Sequence, residues 1–288
     1  MTIQAVQHVR RMRGGAQAQM MRCDDGHFYV VKFQNNPQHV RVLANELLAT
    51  RIAARLGLPV PVVEVVGVGE WLIAHTPELR IELAGQLLRC AAGLQFGSRF
   101  VVEPFAGQVF DYLPQAMLPR VRNLETFAGV LAFDKWTCNA NGRQAVYWRR
   151  PREQKYTASF VDQGYCFNAG EWSFPDAPLR GVYSWNDVYA AVTGWDSFQP
   201  WLRRIEEFSV ADFNACAADL PPEWGVGWDE LERLRERLLA RRERVRELIA
   251  AFRFSTRQPF VNWSGGDLSA KEEANSKQQS AVSRPADC

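Results

Sequence analysis

The stretch Asp134-Lys135-Trp136-Thr137-Cys138-Asn139, taken with the strand-like segment that ends downstream in Val161-Asp162-Gln163-Gly164, decides the fold. An acid, four residues, an amide, a connector and a second acid form the layout of a phosphoryl-transfer centre. In that layout Asp134 is the catalytic base that orients a nucleophilic hydroxyl, while Asn139 and Asp162 hold magnesium. Each residue alone has a plainer explanation. Asp134 follows the apolar helix end 130–133, where a surface acid meets the unfavourable negative end of a helix dipole. Asn139 opens the turn-rich run 139–142, and Asp162 stands where a strand gives way to a turn. Their joint spacing, more than any one of them, points to a site.

Two residues upstream complete the order. Lys32 sits inside the β-rich run Phe28-Tyr29-Val30-Val31-Lys32-Phe33, which follows a hairpin turn at Asp24-Asp25-Gly26. A strand lysine by itself commonly just faces solvent. Glu46, however, borders the apolar face of the next expected helix, 40–56, and a carboxylate on a buried edge needs a cationic partner. A strand lysine that holds phosphate oxygens, braced by a helix glutamate, belongs to the same chemistry. Gly14 and Gly15 separate the first two expected strands. They are either simple turn glycines or a backbone cradle over nucleotide phosphates.

Working outward, strands at 3–11, 17–22 and 28–33 read as an antiparallel meander. Gly57, Pro59 and Pro61 stop the helix. Strands are expected at 60–68, 71–74 and 99–103, and the spacing within 75–97 allows a helix at 79–94. A helix at 123–133 delivers Asp134 at its end, and 144–150 pairs with 156–161 as a hairpin. Helices follow at 197–208, 210–218 and 228–252. Charges along the last alternate in sign, which marks a solvated face and not a nucleic-acid surface. Trp172, Trp185, Trp195, Trp201 and Trp224 read as core. From 262 to 288 large apolar residues almost vanish, as in a disordered tail.

With 47% hydrophobic and 23% charged residues, the 288-residue chain can bury a core as one large domain or as two lobes sharing a cleft. A net charge of +2 gives no case for a nucleic-acid or membrane-surface partner. No run approaches the ~18 apolar residues of a spanning helix, and the N-terminus lacks a signal pattern. Six scattered cysteines and four histidines without ligand spacing favour free thiols in a reducing cytoplasm over a disulfide frame or a zinc site.

At these residues the chain resembles the HipA-like kinases, a bacterial branch of the protein-kinase-like superfamily that also resembles the phosphatidylinositol kinases. The matching parts are Val30-Val31-Lys32, Asn45-Glu46-Leu47-Leu48, the loop from Asp134 to Asn139, and Asp162. They span about 3–167. The resemblance implies an α+β, two-lobed protein-kinase-like fold with an antiparallel-sheet N-lobe at 1–104, a mostly helical C-lobe at 105–261 and the tail at 262–288. It implies ATP and Mg2+ as cofactors: Lys32 on the phosphates, Glu46 bracing it, Asp134 as base, Asn139 and Asp162 on the metal. A hinge at 99–104, including Glu103, would meet adenine. The γ-phosphate would pass to a hydroxyl, first of protein Ser/Thr, second of a small molecule or lipid. Trp136 stands where related loops carry His, and Asp-Gln-Gly replaces Asp-Phe-Gly, so no Phe-based activation switch is implied. Two alternatives come from other classes. One is a pseudokinase or nucleotide-binding interaction module without turnover. The other, a helical interaction protein built on 230–247, leaves the upstream pattern unexplained.

Overall fold

Short β-rich runs separated by turn residues fill the first hundred positions. In the computed structural model, which describes residues 2–39 and 41–264, they close into a barrel. The elements are β1 (Ile3–Arg11), β2 (Gln19–Cys23), β3 (Phe28–Lys32), helix α1 (Val42–Arg55), β4 (Val63–Val68), a one-turn helix α2 (Glu70–Ala74), the hairpin β5 (Arg80–Leu83) and β6 (Gln86–Arg89), and β7 (Gly93–Arg99). Around the barrel the order is β1-β2-β3-β7-β4. Neighbours are antiparallel except at the closure, where β1 meets β4 in parallel with Ile3 opposite Val66. Register shifts after Ala5 and His8 bend β1 for that closure, the usual work of bulges. Met21, Tyr29, Val31 and Val66 fill the interior.

Three local expectations are corrected here. Residues 71–74 form a helical turn, with Glu70 in its first turn, and not a strand. Residues 79–94 form the β5–β6 hairpin and the start of β7, and not a helix. Apolar spacing alone cannot separate these states over short runs. The deciding feature is the pair Ala84-Gly85, both at positive φ, which turns the chain back on itself. The strand expected at 99–103 ends at Arg99.

The second half begins with β8 (Gln108–Phe110), then α3 (Thr126–Thr137), β9 (Gln144–Arg149) and β10 (Thr157–Val161), the three strands forming a sheet in the order β10-β9-β8. Helices α4 (Trp201–Glu206), α5 (Val210–Ala217), α6 (Trp228–Arg241) and α7 (Val245–Arg253) pack beyond it. A tighter turn at Arg242–Arg244 breaks the single long helix expected at 228–252. α3 is nearly all buried and carries the centre of this core through Phe127, Leu131, Phe133 and Trp136. Among the described residues no helix is long and apolar enough to cross a membrane, and five cysteines are free and buried.

α1 belongs to both halves. Val42, Leu43, Ala44 and Leu47 pack with Val63 and Phe96 of the barrel. Leu48, Ala49, Ile52 and Ala53 join the large core around α3. The tail expected from 262 falls mostly on 265–288, outside the described residues. The described part runs further than expected as packed chain: the Trp263 ring meets Trp195 edge-on at 5.2 Å, and Asn262 Nδ2 donates to the Ala190 carbonyl.

Gly129 tests the packing of α3. A Cβ there would lie 2.3 Å from the Trp201 ring. Alanine favours a helix over glycine by about 1 kcal/mol. The clash should outweigh that preference, so Gly129→Ala is expected to lose ~1–3 kcal/mol in denaturant unfolding. Unchanged or raised stability would show that the ring has room to shift.

Candidate active site

A cavity of about 860 Å³ opens between the barrel and the second half. Apolar side chains of Val30, Phe96, Ala145 and Phe160 line it together with the charged Arg10, Arg13, Lys32 and Asp162. Lys32 ends β3 and is only 8% exposed. Its Nζ donates to Glu46 Oε1 on α1 and, at 2.8 Å, to Asp162 Oδ1 just past β10. Burial works against the ammonium charge, but the two carboxylates outweigh it and hold the Lys32 pKa above the ordinary lysine range. Burial likewise opposes ionisation of Asp162, yet Lys32 draws its carboxyl below the usual range. Glu46, buried and close to Asp162, is pushed up despite its lysine partner.

Why these groups converge follows from α1 and the loop after Asp162. The backbone N–H of Gln163 donates to Glu46 Oε2 at 2.9 Å. Asn45 is fully buried, with Nδ2 at 2.9, 3.0 and 2.8 Å from the carbonyl oxygens of Gly164, Cys166 and Ala169. Its Oδ1 accepts from Trp172 Nε1. The approach is so close that a Cβ on Gly164 would lie 2.7 Å from Val42 and 3.1 Å from Glu46. Asp162 itself adopts φ +62°, a left-handed conformation uncommon for a residue with a side chain.

The structure thus brings Lys32, Glu46 and Asp162 together and lines the same cavity with Gly14 and Gly15. It does not bring Asp134, Asn139 or Glu103 there. The assignment of Asp134 as base is corrected by its surroundings: it lies inside α3, 1% exposed, and does not line the cavity. Its oxygens accept from Arg143 Nε at 2.8 Å, from Arg143 Nη2, and from Asn139 Nδ2 at 3.0 Å. A base must reach its proton, and these bonds occupy the carboxylate. Asn139, expected on the metal, instead accepts the Asn141 backbone N–H with its Oδ1. Glu103, expected near adenine, lines an adjoining groove of about 580 Å³ that shares Pro61, Arg99, Phe100 and Val101 with the cavity. Its carbonyl accepts from Ala106 and Gly107, and the chain borders the main cavity at Arg99, Phe100 and Val101 instead.

Sequence reasoning gave no role to Asn141, Arg143 and Gln144, which line the cavity, or to Asn45, which was matched only as part of its helix and holds a wall. An amide inside the apolar run of α1 was a signal for Asn45. Arg143, in a turn-rich run, gave none. Among the described residues no group of three or more His, Cys, Asp or Glu side chains forms a metal cluster. Asp162, 19% exposed at its side chain, is the carboxylate of the triad most open to the cavity.

The family model described as HipA-like kinase matches residues 5–146, which include Lys32 and Glu46 but not Asp162. In structure the chain is similar to the proinflammatory kinase CtkA of Helicobacter pylori, at 12% identity and a TM-score of 0.56, over 88% of this chain and 100% of that one. It is also similar to the Golgi casein kinase, at 10% identity and a TM-score of 0.51, over 86% and 73% of the two chains. No curated protein matches in sequence. The fold is a two-lobed, kinase-like α+β fold.

Two measurements check the buried charges beside the cavity. Asp134→Asn leaves the Arg143 guanidinium without its counter-charge, and the expected loss is ~3–5 kcal/mol in chemical unfolding. A loss under ~0.5 kcal/mol would contradict the pair. Lys135, next along α3, is 4% exposed and donates to the carbonyls of Pro178 and Arg180. Burial pushes its pKa down from 10.5 to about 8. Between those values the unfolded chain holds the proton and the native chain does not, so this group adds stability as pH rises. The stability of wild type relative to Lys135→Met should therefore climb from pH 8 to 10.5, and a flat or falling difference would refute the shift.

Proposed function

We propose that this chain, HipA-like in sequence over residues 5–146, binds ATP with magnesium in the cavity and transfers the γ-phosphate to a hydroxyl. One observation carries this: a buried lysine held between a helix glutamate and an aspartate that opens onto a cavity large enough for a nucleotide. Lys32 would move from Asp162 to phosphate oxygens while Glu46 keeps it in place. Asp162, with the Asn141 amide lining the same cavity, would hold magnesium; such a site takes one or two carboxylates and completes its shell with phosphate oxygens and water. The metal supplies charge neutralisation at the β- and γ-phosphates. The backbone from Arg99 to Val101 would border the base, and the apolar side chains Val30, Phe96 and Ala145 would enclose it. A protein Ser/Thr hydroxyl is the first acceptor to test and a small-molecule hydroxyl the second. Buried free thiols support a reducing, cytoplasmic setting.

A second proposal, a nucleotide-binding module without turnover, is favoured by the placement of Asp134. Asn141 in the loop after α3 and Gln144 at the start of β9, both amides, line the cavity where a carboxylate base was expected. A loose transition state asks more of positioning and charge than of a strong base, so a transferase built this way would be slow, not impossible.

Thermal unfolding with ATP and magnesium, followed by a turnover assay, separates these. Saturating nucleotide at about 100 times its Kd should stabilise wild type by ~2.7 kcal/mol. Asp162→Ala should stay folded, because Lys32 keeps Glu46, and should lose the magnesium-dependent part of that gain. Phosphotransfer that Asp162→Ala lowers by roughly a hundredfold supports the kinase. Binding without turnover supports the module, and no stabilisation of wild type by nucleotide rejects both.

A further inference from the structure

We propose that Asp134 and Arg143 act as a buried positioning pair, setting Asp162 and the loop at Asn141 in place for the metal-bound nucleotide; this rests on the nucleotide site proposed above. Both side chains are sealed, with 0% and 1% of their surface exposed. Every nitrogen of the Arg143 guanidinium is used. Nε and Nη2 grip Asp134, and Nη1 donates at 3.0 Å to the carbonyl of Val161. Val161 is the residue before Asp162, whose φ of +62° must be imposed by its surroundings. The same Asp134 oxygen that meets Arg143 Nη2 also accepts from Asn139 Nδ2, and Asn139 Oδ1 fixes the N–H of Asn141. Gln144, the next residue on β9, donates at 2.6 Å to Asp162 Oδ2. One buried carboxylate in α3 therefore reaches both walls of the cavity, Asp162 through Arg143 and Asn141 through Asn139.

The chemistry argues for geometry as the purpose. A buried ion pair is often no more stabilising than an apolar pair of the same volume. What an apolar pair cannot do is hold a third group, the Val161 carbonyl, at a fixed angle. A lysine could neutralise Asp134 but lacks the planar fork that spans two carboxylate oxygens and a carbonyl.

Arg143→Lys keeps the charge and removes the fork. The double variant Asp134→Leu/Arg143→Met removes both charges and avoids an unpaired one. For each, thermal stability and ATP affinity are measured, the affinity both with magnesium and in chelator. In at least one folded variant, ATP affinity in chelator should stay within about twofold of wild type, while the gain in affinity from magnesium falls at least tenfold. A merely structural role would lower stability and both affinities together, which overturns the proposal, as does a wild-type magnesium gain kept in every folded variant. If neither variant folds, the pair is structural and the proposal fails. Wild type that binds no nucleotide rejects the site itself, and wild type that binds it without a magnesium gain rejects the positioning role alone.

Discussion

The Lys32 ammonium has almost no water around it, and a buried cation persists only where opposite charge is brought to it. Here that charge comes from two elements far apart in sequence, Glu46 on α1 and Asp162 after β10. Neutralising one side chain thus joins the barrel, the helix and the second half at a single point. Other features serve the same convergence. Asn45 ties the 164–169 loop to α1, and Gly164 lets that loop come close enough for Gln163 to reach Glu46.

Two clusters of buried charge sit side by side and differ in exposure. Lys32 and Asp162 keep 10% and 19% of their side chains open to the cavity, while Arg143 and Asp134 keep 1% and 0%. The first cluster can exchange a protein partner for a ligand. The second cannot, since its hydrogen bonds all end on protein groups. That contrast divides the acids of the site by role better than their spacing in the sequence does.

Much of the arrangement was legible in the sequence alone. Lys32 and Glu46 stood out because each is a charge at the edge of an apolar pattern, and the meander that closes the barrel was marked by its turn residues. Asp134 misled for a physical reason. An acid and an amide five positions apart span a helix end: α3 caps at Cys138 in the left-handed region, and the Asn139 N–H donates to the Asp134 carbonyl. The spacing that suggests a catalytic loop also places the two side chains within hydrogen-bond reach of each other. The β5–β6 hairpin was hidden because Ile81, Leu83, Leu87 and Leu88 fit a helical period as well as an alternating one. Arg143 was invisible, since nothing in a turn-rich run announces a fully buried guanidinium.

α1 contributes side chains to two hydrophobic clusters, the large core around α3 and a smaller one against Val63 and Phe96 of the barrel. Cooperative units of unfolding follow shared packing, and an element common to two cores links their opening. Separating the lobes would expose Leu48, which has no surface exposure in the intact molecule, while the adjacent Leu47 keeps Val63 and Phe96 of the barrel as partners. The barrel keeps an interior of its own in Met21, Tyr29, Val31 and Val66, but the large core around α3 is incomplete without α1. A cut through the connection near Val101 would leave the second fragment without the α1 side chains that complete its core.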